Sequence, residues 1–575
     1  MPGHDQVTHS NKLGVEERKS SLAALQKHEL DVLVIGGGIV GVGCALDAVT
    51  RGLSTGVLEA ADWASGTSSR SSKLVHGGIR YLEQLNFRLV REALIERGLL
   101  LQRIAPHLVK PVRFLYPLTL PILERLYVGI GMLMYDLFAR TGSTPPGVPH
   151  HRHLTRRQLE MSMPSLKRGF FRGGLSYWDA QVDDSRYVSM LVRTAVEYGA
   201  HAANQVSVTG FLKEGERVVG VRAHDRVSGK DIEIRAKQVV NATGVWTGET
   251  QAMVGGDRQF SVRASKGIHL VIPREKFQGT MGILLRTEKS VLFVIPWDEH
   301  WLIGTTDTDW HLDKAHPAAT ATDIDYVLGH VNRILATELT REDVSGVYAG
   351  LRPLLSGESE ETSKLSREHI VAAGAPGLTL VAGGKWTTYR VMAKDAIDAA
   401  VAGMPGQISE SVTDKVSVLG ADGYVAYANA TKTMAKRSGL SQKQISHLLN
   451  RYGTLIDDLL EMISENPTLA EPLPGAEQYL AVEAVYAATH EGAVHLEDIL
   501  IRRTRISIEA PDRGVSAAPV VADLVAHPLG WSPARKRAEV RNYLARVAAE
   551  RASQLELTDE AAEAVRLQAA QPEAK

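Results

Sequence analysis

The feature that most constrains this chain is one stretch near its start, DVLVIGGGIVGVGCALDAVTRGLSTGVLEA, residues 31–60. An apolar run at 32–35 leads into Gly36-x-Gly38-x-x-Gly41. Val42, Ala45, Leu46 and Val49 follow at helical spacing, and Gly52 ends the helix. Each glycine answers a physical need: Gly36 a tight turn, Gly38 the close approach of a pyrophosphate to the backbone, Gly41 the packing of helix on strand. A second apolar run ends at Glu59, an acid placed to accept hydrogen bonds from ribose hydroxyls. Strand, glycines, helix, strand and acid in this register predict a βαβ unit that binds a dinucleotide at the positive end of a helix dipole. The bland alternative is a βαβ unit whose glycines only make turns. Cys44 falls among apolar neighbours inside the helix and reads as core.

Composition narrows the class. At 575 residues and 44% hydrophobic, the chain can build about three or four packed units. Lys+Arg 65 against Asp+Glu 66 leaves a formal net charge of −1, which argues against a nucleic-acid partner. One cysteine excludes a disulfide framework and a cysteine zinc cage and permits a reducing compartment. The first thirty residues hold no signal-peptide core. The best uninterrupted apolar stretch, LYVGIGMLMY at 126–135, falls far short of the roughly 20 residues that span a bilayer.

Of the 51 glycines, 46 lie in the first 439 residues, which separates a turn-rich α/β region from a helical C-terminal one. Strand-like runs at 32–35, 56–59, 238–243 and 378–382 alternate with helical stretches and imply a parallel sheet. VLFVIPWDEHWLIGTT at 291–306 reads as a hairpin with DEH as its turn, which suits a second, antiparallel sheet. Two later strand ends favour FAD over NAD: QVVNATGVW at 238–246, and LTLVAGGKWTTYR at 378–390, where a new helix start can stabilise negative charge on a reduced flavin. The expected fold class is α/β, or α+β overall: a Rossmann-like nucleotide domain interleaved with a mixed or antiparallel substrate domain, and a helical C-terminal domain. The expected divisions are a tail at 1–27, an FAD domain at 28–100, 170–250 and 345–404, a substrate domain at 101–169 and 251–344, helices at 405–568 and a tail at 569–575.

The block SGTSSRSSKLVHGGIRYLE at 65–83 resembles the FAD-dependent glycerol-3-phosphate dehydrogenases, respiratory enzymes of the wider glycine-oxidase and D-amino-acid-oxidase fold family. The likeness extends through FRLVREAL, VDDSR, NATGVW, IGTTDTD, LRPLL and GGKWTTYR. It implies FAD, oxidation of sn-glycerol 3-phosphate to dihydroxyacetone phosphate, electron transfer to a membrane quinone, and a cytoplasmic location peripherally attached to the inner face of the cell membrane. It is compatible with a homodimer. It also implies that Gly36, Gly38, Gly41, Glu59, Ser68, Ser69, Ser72, Lys73, His76, Gly77, Gly78, Gly244, Gly383, Gly384, Lys385 and Thr387 surround the cofactor.

Such a substrate needs cations for its phosphate and a base for its hydroxyl. Guanidinium forks match phosphate oxygens, and the motifs nominate Arg352 and Arg367, with Arg80, Tyr81 and Lys385 bordering the same pocket. His76 and His269 are the candidate bases, while Lys385 and Arg80 would steady developing negative charge. No metal site is expected, because Asp307 and Asp309 read as turn and hydrogen-bonding residues. From Arg80 to Arg125, eight Lys/Arg against four Asp/Glu, with Phe87, Val90, Leu94 and Leu101 at helical spacing, suggest a basic amphipathic face for a membrane. Two other readings stay open: an oxygen-using glycerol-3-phosphate oxidase and a non-catalytic FAD-containing binding protein.

Overall fold

A computed structural model describes residues 10–120, 122–255, 260–288, 291–355 and 368–568. The first sheet has eight strands. Leu30–Ile35 lies at its centre, parallel to Lys230–Asn241 on one side and Thr55–Leu58 on the other, with His201–Ala203 and Leu378–Gly383 continuing the parallel array. Val32 and Val34 enter the core shared with helices Ile39–Thr50, Asp184–Glu197 and Tyr389–Val401, while Leu33 and Ile35 enter the opposite core. A strand covered on both faces must be apolar throughout, which is why this run shows no alternation. Residues 15–27 were expected to be a tail. They form the helix Val15–Lys27 instead, because Leu22 and Leu25 are buried against the second face and Arg18 pairs with Asp225 at 2.6 Å.

The second sheet has ten strands built around Val262–Pro273, which pairs antiparallel with Gly346–Leu355, His300–Gly304 and Thr308–Trp310. The expected hairpin forms between Val291–Trp297 and His300–Gly304, with His300 inside the strand rather than the turn. The expected domain divisions differ from these pairings. Leu74–Val75, Gly173–Val182 and Gly346–Leu355 were assigned to the nucleotide unit but hydrogen-bond into the second sheet. The chain therefore crosses between the sheets several times, and the cavity described below opens where it crosses.

The C-terminal helices have their own core around Leu448, Leu480, Tyr486 and Val521. It begins later than expected, because Ile408, Val412, Val416 and Val418 still pack on the nucleotide core. Buried ion pairs lock the C-terminal unit down. Arg505 reaches Asp183 at 2.6 Å and also pairs with Asp184, and Arg503 grips Asp62 through two bonds of 2.6 and 2.7 Å. Removing one member of such a pair strands a charge in low dielectric, which makes this interface rigid in composition as well as shape.

Candidate active site

One cavity of about 700 Å³ runs from the glycine-rich turn to the second sheet. Gly36 lies at φ +112°, and a Cβ there would sit 2.6 Å from the Ala242 carbonyl oxygen. A Cβ at Gly41 would fall 2.0 Å from the Gly36 carbonyl oxygen, so this glycine serves helix-on-strand contact as expected and does not line the cavity. Ile39 N–H donates to Ser68 Oγ at 3.0 Å, which brings the serine-rich loop over the helix start. Glu59 accepts from the Gly37 and Ala61 amides at 2.7 and 2.8 Å, and burial pushes its carboxyl above the usual range.

Of the nominated cofactor residues, Gly36, Gly38, Glu59, Ser68, Ser72, His76, Gly78, Gly244, Gly383, Gly384, Lys385 and Thr387 line this cavity. Ser69, Lys73 and Gly77 are not among the residues that line it. Lys73 is fully buried and binds Asp184 at 2.7 Å, and the Ser69 carbonyl accepts from Lys73 and Arg505. The Gly77 amide donates to Tyr135 Oη at 2.9 Å.

The cavity is also lined by Arg352 and His269 of the second sheet and by His76, Arg80, Tyr81 and Lys385. Arg352 donates to Thr305 Oγ1 at 2.9 Å and to the Thr306 carbonyl at 3.1 Å, and it lies 3.5 Å from Asp307. Residue 267 is glycine, and a Cβ there would fall 2.4 Å from the guanidinium and push it aside. His269 Nε2 lies 2.8 Å from Ser72 Oγ, and the ring stacks on Tyr348 with centroids 4.9 Å apart. Burial, with Arg352 and Lys73 adding repulsion, holds this imidazole well below its ordinary pKa, so it is neutral at physiological pH. Lys385 Nζ sits 3.7 Å from the Tyr81 ring centroid, and Arg80 donates to Tyr81 Oη at 3.3 Å. The His76 amide donates to Thr387 Oγ1 at 3.1 Å, joining the two motifs across 311 residues. Arg367 lies outside the described residues.

Comparison with known proteins bears on this arrangement. Residues 31–390 match the family of FAD dependent oxidoreductases, and residues 411–536 match the C-terminal domain of alpha-glycerophosphate oxidase. Over 563 residues the chain is 55% identical to glycerol-3-phosphate dehydrogenase 2 of Mycobacterium tuberculosis, covering 98% of this chain and 95% of that relative. It is 53% identical to the glycerol-3-phosphate dehydrogenase of Mycobacterium leprae, covering 100% of this chain and 97% of the other. The glycerol-3-phosphate dehydrogenase from Bacillus halodurans, solved in complex with FAD, matches with a TM-score of 0.76 at 28% identity, covering 93% of this chain and 98% of that one. The chain belongs to the FAD-dependent glycerol-3-phosphate dehydrogenases.

The residues of this dehydrogenase fit FAD. Gly38 is the N-cap of helix Ile39–Thr50 and carries no side chain over it, and Gly383 and Gly384, at φ +77° and +75°, let the backbone turn beside the cavity. Ser68, Thr243 and Gly244 supply small polar groups between these ends. Sequence reasoning missed the support beneath the HGG loop. Tyr135 donates to Asp179 at 2.6 Å, Arg97 donates to Asp179 at 2.8 Å, and the Gly77 amide meets both Tyr135 and Asp179. No motif marks these positions; their role emerges only because helices Phe87–Leu99 and Leu123–Phe138 pack against strand Gly173–Val182. Tyr135→Phe removes one buried acceptor for the Gly77 amide, at a cost of about 1–3 kcal/mol. We expect kcat/KM to fall by about tenfold with FAD retained, measured by steady-state kinetics on enzyme of matched flavin content.

Asp307 and Asp309 do not converge on a common point: Asp307 faces Arg352, and Asp309 binds Arg263 at 2.6 Å. The Cys44 thiol is buried, and burial pushes its pKa up.

Proposed function

We propose that this dehydrogenase oxidises sn-glycerol 3-phosphate to dihydroxyacetone phosphate and delivers the electrons to a membrane quinone. The observation that carries this reading is the continuity of one cavity from the glycine turn to a chamber holding Arg352, Lys385 and a neutral His269. FAD, when bound, supplies the two-electron acceptor for the hydrogen at C2. Arg352 and Lys385 take the phosphate, the former as a guanidinium fork already oriented by Thr305. His269 accepts the hydroxyl proton at Nε2, the nitrogen beside Ser72. His76 and Thr387 keep the HGG loop against the end of strand Leu378–Gly383. An anaerobic titration with glycerol 3-phosphate, glycerol and a 2-amino acid tests the reading. Only the first should bleach the flavin; bleaching by the amino acid alone would overturn it. Aerobic peroxide formation outpacing reduction of a soluble quinone would replace the quinone with oxygen.

The membrane part of the reading rests on a different surface from the one expected. Val90, Leu94 and Leu101 are buried and Phe87 alone of that set is exposed, so that face of 80–125 serves mainly the core. The exposed apolar face belongs to helix Leu123–Phe138, where Leu123, Leu126, Tyr127, Ile130, Leu133 and Leu137 are each 54–75% exposed while Val128, Met132 and Tyr135 hold the opposite face in the core. Among the described residues no helix is long and apolar enough to cross a membrane. An apolar helix face with exposed Arg88, Arg91 and Arg140 on flanking segments suits the surface of an anionic bilayer. Leu126→Glu with Ile130→Glu should weaken binding to anionic phospholipid vesicles at least about tenfold while leaving soluble-quinone turnover unchanged, as read by vesicle co-sedimentation. Undiminished binding would move the contact elsewhere.

A further inference from the structure

The same cavity has a lobe that the proposed chemistry does not use. It lies between the loop 65–72 and the C-terminal helices, lined by Arg70, Ala315, His316, Glu497, Arg502 and Arg546. Most charges here are matched. Asp62 is shared by Arg502 and Arg503, Asp498 is taken by Arg502, Glu497 by Arg546 and Arg502, and Glu550 by Arg546 and Arg566 at 3.1 and 3.2 Å. Arg70 has no carboxylate: among the described residues its guanidinium makes only a 3.1 Å bond to the Ala315 carbonyl. Among these described residues, five guanidiniums, Arg70, Arg502, Arg503, Arg546 and Arg566, face four carboxylates, and Arg70, which has none, lines the cavity together with Arg502 and Arg546.

The adjoining His316 points the same way. Its Nδ1 is buried with no hydrogen-bond partner among the described residues, although the ring lines the same lobe. Desolvation and the surrounding arginines pull Arg70 down to about 9 and His316 down to about 4. Arg70 is half-buried without a carboxylate among the described residues, and the buried Nδ1 of His316 lacks an acceptor in the tautomer that carries its proton there. An oxyanion between them would satisfy both. Among the described residues the nearby carboxylates Asp62, Glu497, Asp498 and Glu550 already serve other arginines.

We propose that Arg70 and His316, backed by Arg502 and Arg546, form a binding site for a phosphate oxyanion at the seam between the nucleotide unit and the C-terminal helices. Two sources carry that chemistry: the diphosphate of FAD in the same cavity, and free phosphate or a phosphomonoester. The site differs from the Arg352 chamber, which lies against the second sheet. Its position gives it a role in holding the C-terminal unit over the cofactor, since Arg502 and Arg546 belong to that unit and Arg70 to the cofactor loop.

The test uses holoenzyme. FAD release on dilution, read by recovery of flavin fluorescence, is compared for the parent, Arg70→Gln and Arg70→Lys. In parallel, inorganic phosphate is titrated against sodium chloride at equal ionic strength, and the melting temperature is followed in an Arg352→Ala background that removes the substrate-chamber phosphate ligand. If the cofactor is the source, Arg70→Gln releases FAD at least about tenfold faster and Arg70→Lys by a smaller factor, because the ammonium keeps the charge but loses the fork. If free phosphate is the source, release is unchanged, and the phosphate-specific rise in melting temperature seen in Arg352→Ala disappears on adding Arg70→Gln. Unaltered FAD release together with an unaltered phosphate response in the Arg70 variants overturns the proposal. Should Arg70→Gln fail to fold, the Arg70→Lys arms decide by the same criteria. Loss of glycerol 3-phosphate oxidation alone would bear on the proposed function and not on this site.

Discussion

Arg352→Ala should raise the KM for glycerol 3-phosphate by about 100-fold or more while changing kcat far less. A charged hydrogen bond is worth about 1.5–3 kcal/mol, and a guanidinium fork makes two to one phosphate, so the loss approaches or exceeds two decades. The phosphate is remote from the C2–H bond and is held alike before and during reaction, so its loss falls mainly on binding. The arginine is oriented in advance by Thr305 and the Thr306 carbonyl, and its side chain occupies space that Gly267 leaves open. Lysine is therefore a poor substitute: Arg352→Lys restores charge without the planar fork and should recover only part of the lost affinity. Steady-state kinetics across a wide substrate range check this. An unchanged KM would remove Arg352 from the phosphate site.

His269→Asn should lower kcat by about 100- to 10,000-fold, the range by which a positioned base accelerates proton transfer, with little change in FAD content. The pH dependence follows from the buried ring. A base works deprotonated, and burial together with the charges of Arg352 and Lys73 lowers the pKa of His269 well below 6.5. As pH falls through 6.5 the ring therefore stays neutral, and kcat at saturating substrate should show no acid limb there, declining only at lower pH. Measuring kcat rather than kcat/KM keeps ionisation of the free substrate phosphate out of the profile. A limb centred near 6.5 that vanishes in His269→Asn would show the ring to be solvated during turnover and would overturn the buried-base assignment. His76 provides the contrast: its bonds to Thr387 run through the backbone amide and carbonyl, so His76→Ala keeps them and should act mainly on turnover.

Much of the active site was legible because its geometry is local. The turn at Gly36, the N-cap at Gly38 and the contact made by Gly41 depend on residues a few positions apart, and the backbone conformations involved admit few side chains. Arg352, His269 and Lys385 were nominated from motif resemblance, and all three line the one large cavity. Lys73 shows where that reading fails. It sits within the same motif as Ser72, yet its ammonium turns toward Asp184, 111 residues away, and leaves the cavity.

The sequence by itself determined the βαβ cradle, the acid that follows it, the two sheet types and the helical character of the C-terminal region, because hydrophobic period and glycine geometry act over short spans of chain. Tertiary structure alone decided that Gly173–Val182 and Gly346–Leu355 join the second sheet, that helix Leu123–Phe138 turns half of its apolar residues outward, and that Arg70 ends beside other arginines with no carboxylate among the described residues. An apolar residue looks the same in a sequence whether it faces core or solvent, and a charge looks the same whether paired or not. What distinguishes them is which distant segment folds against them.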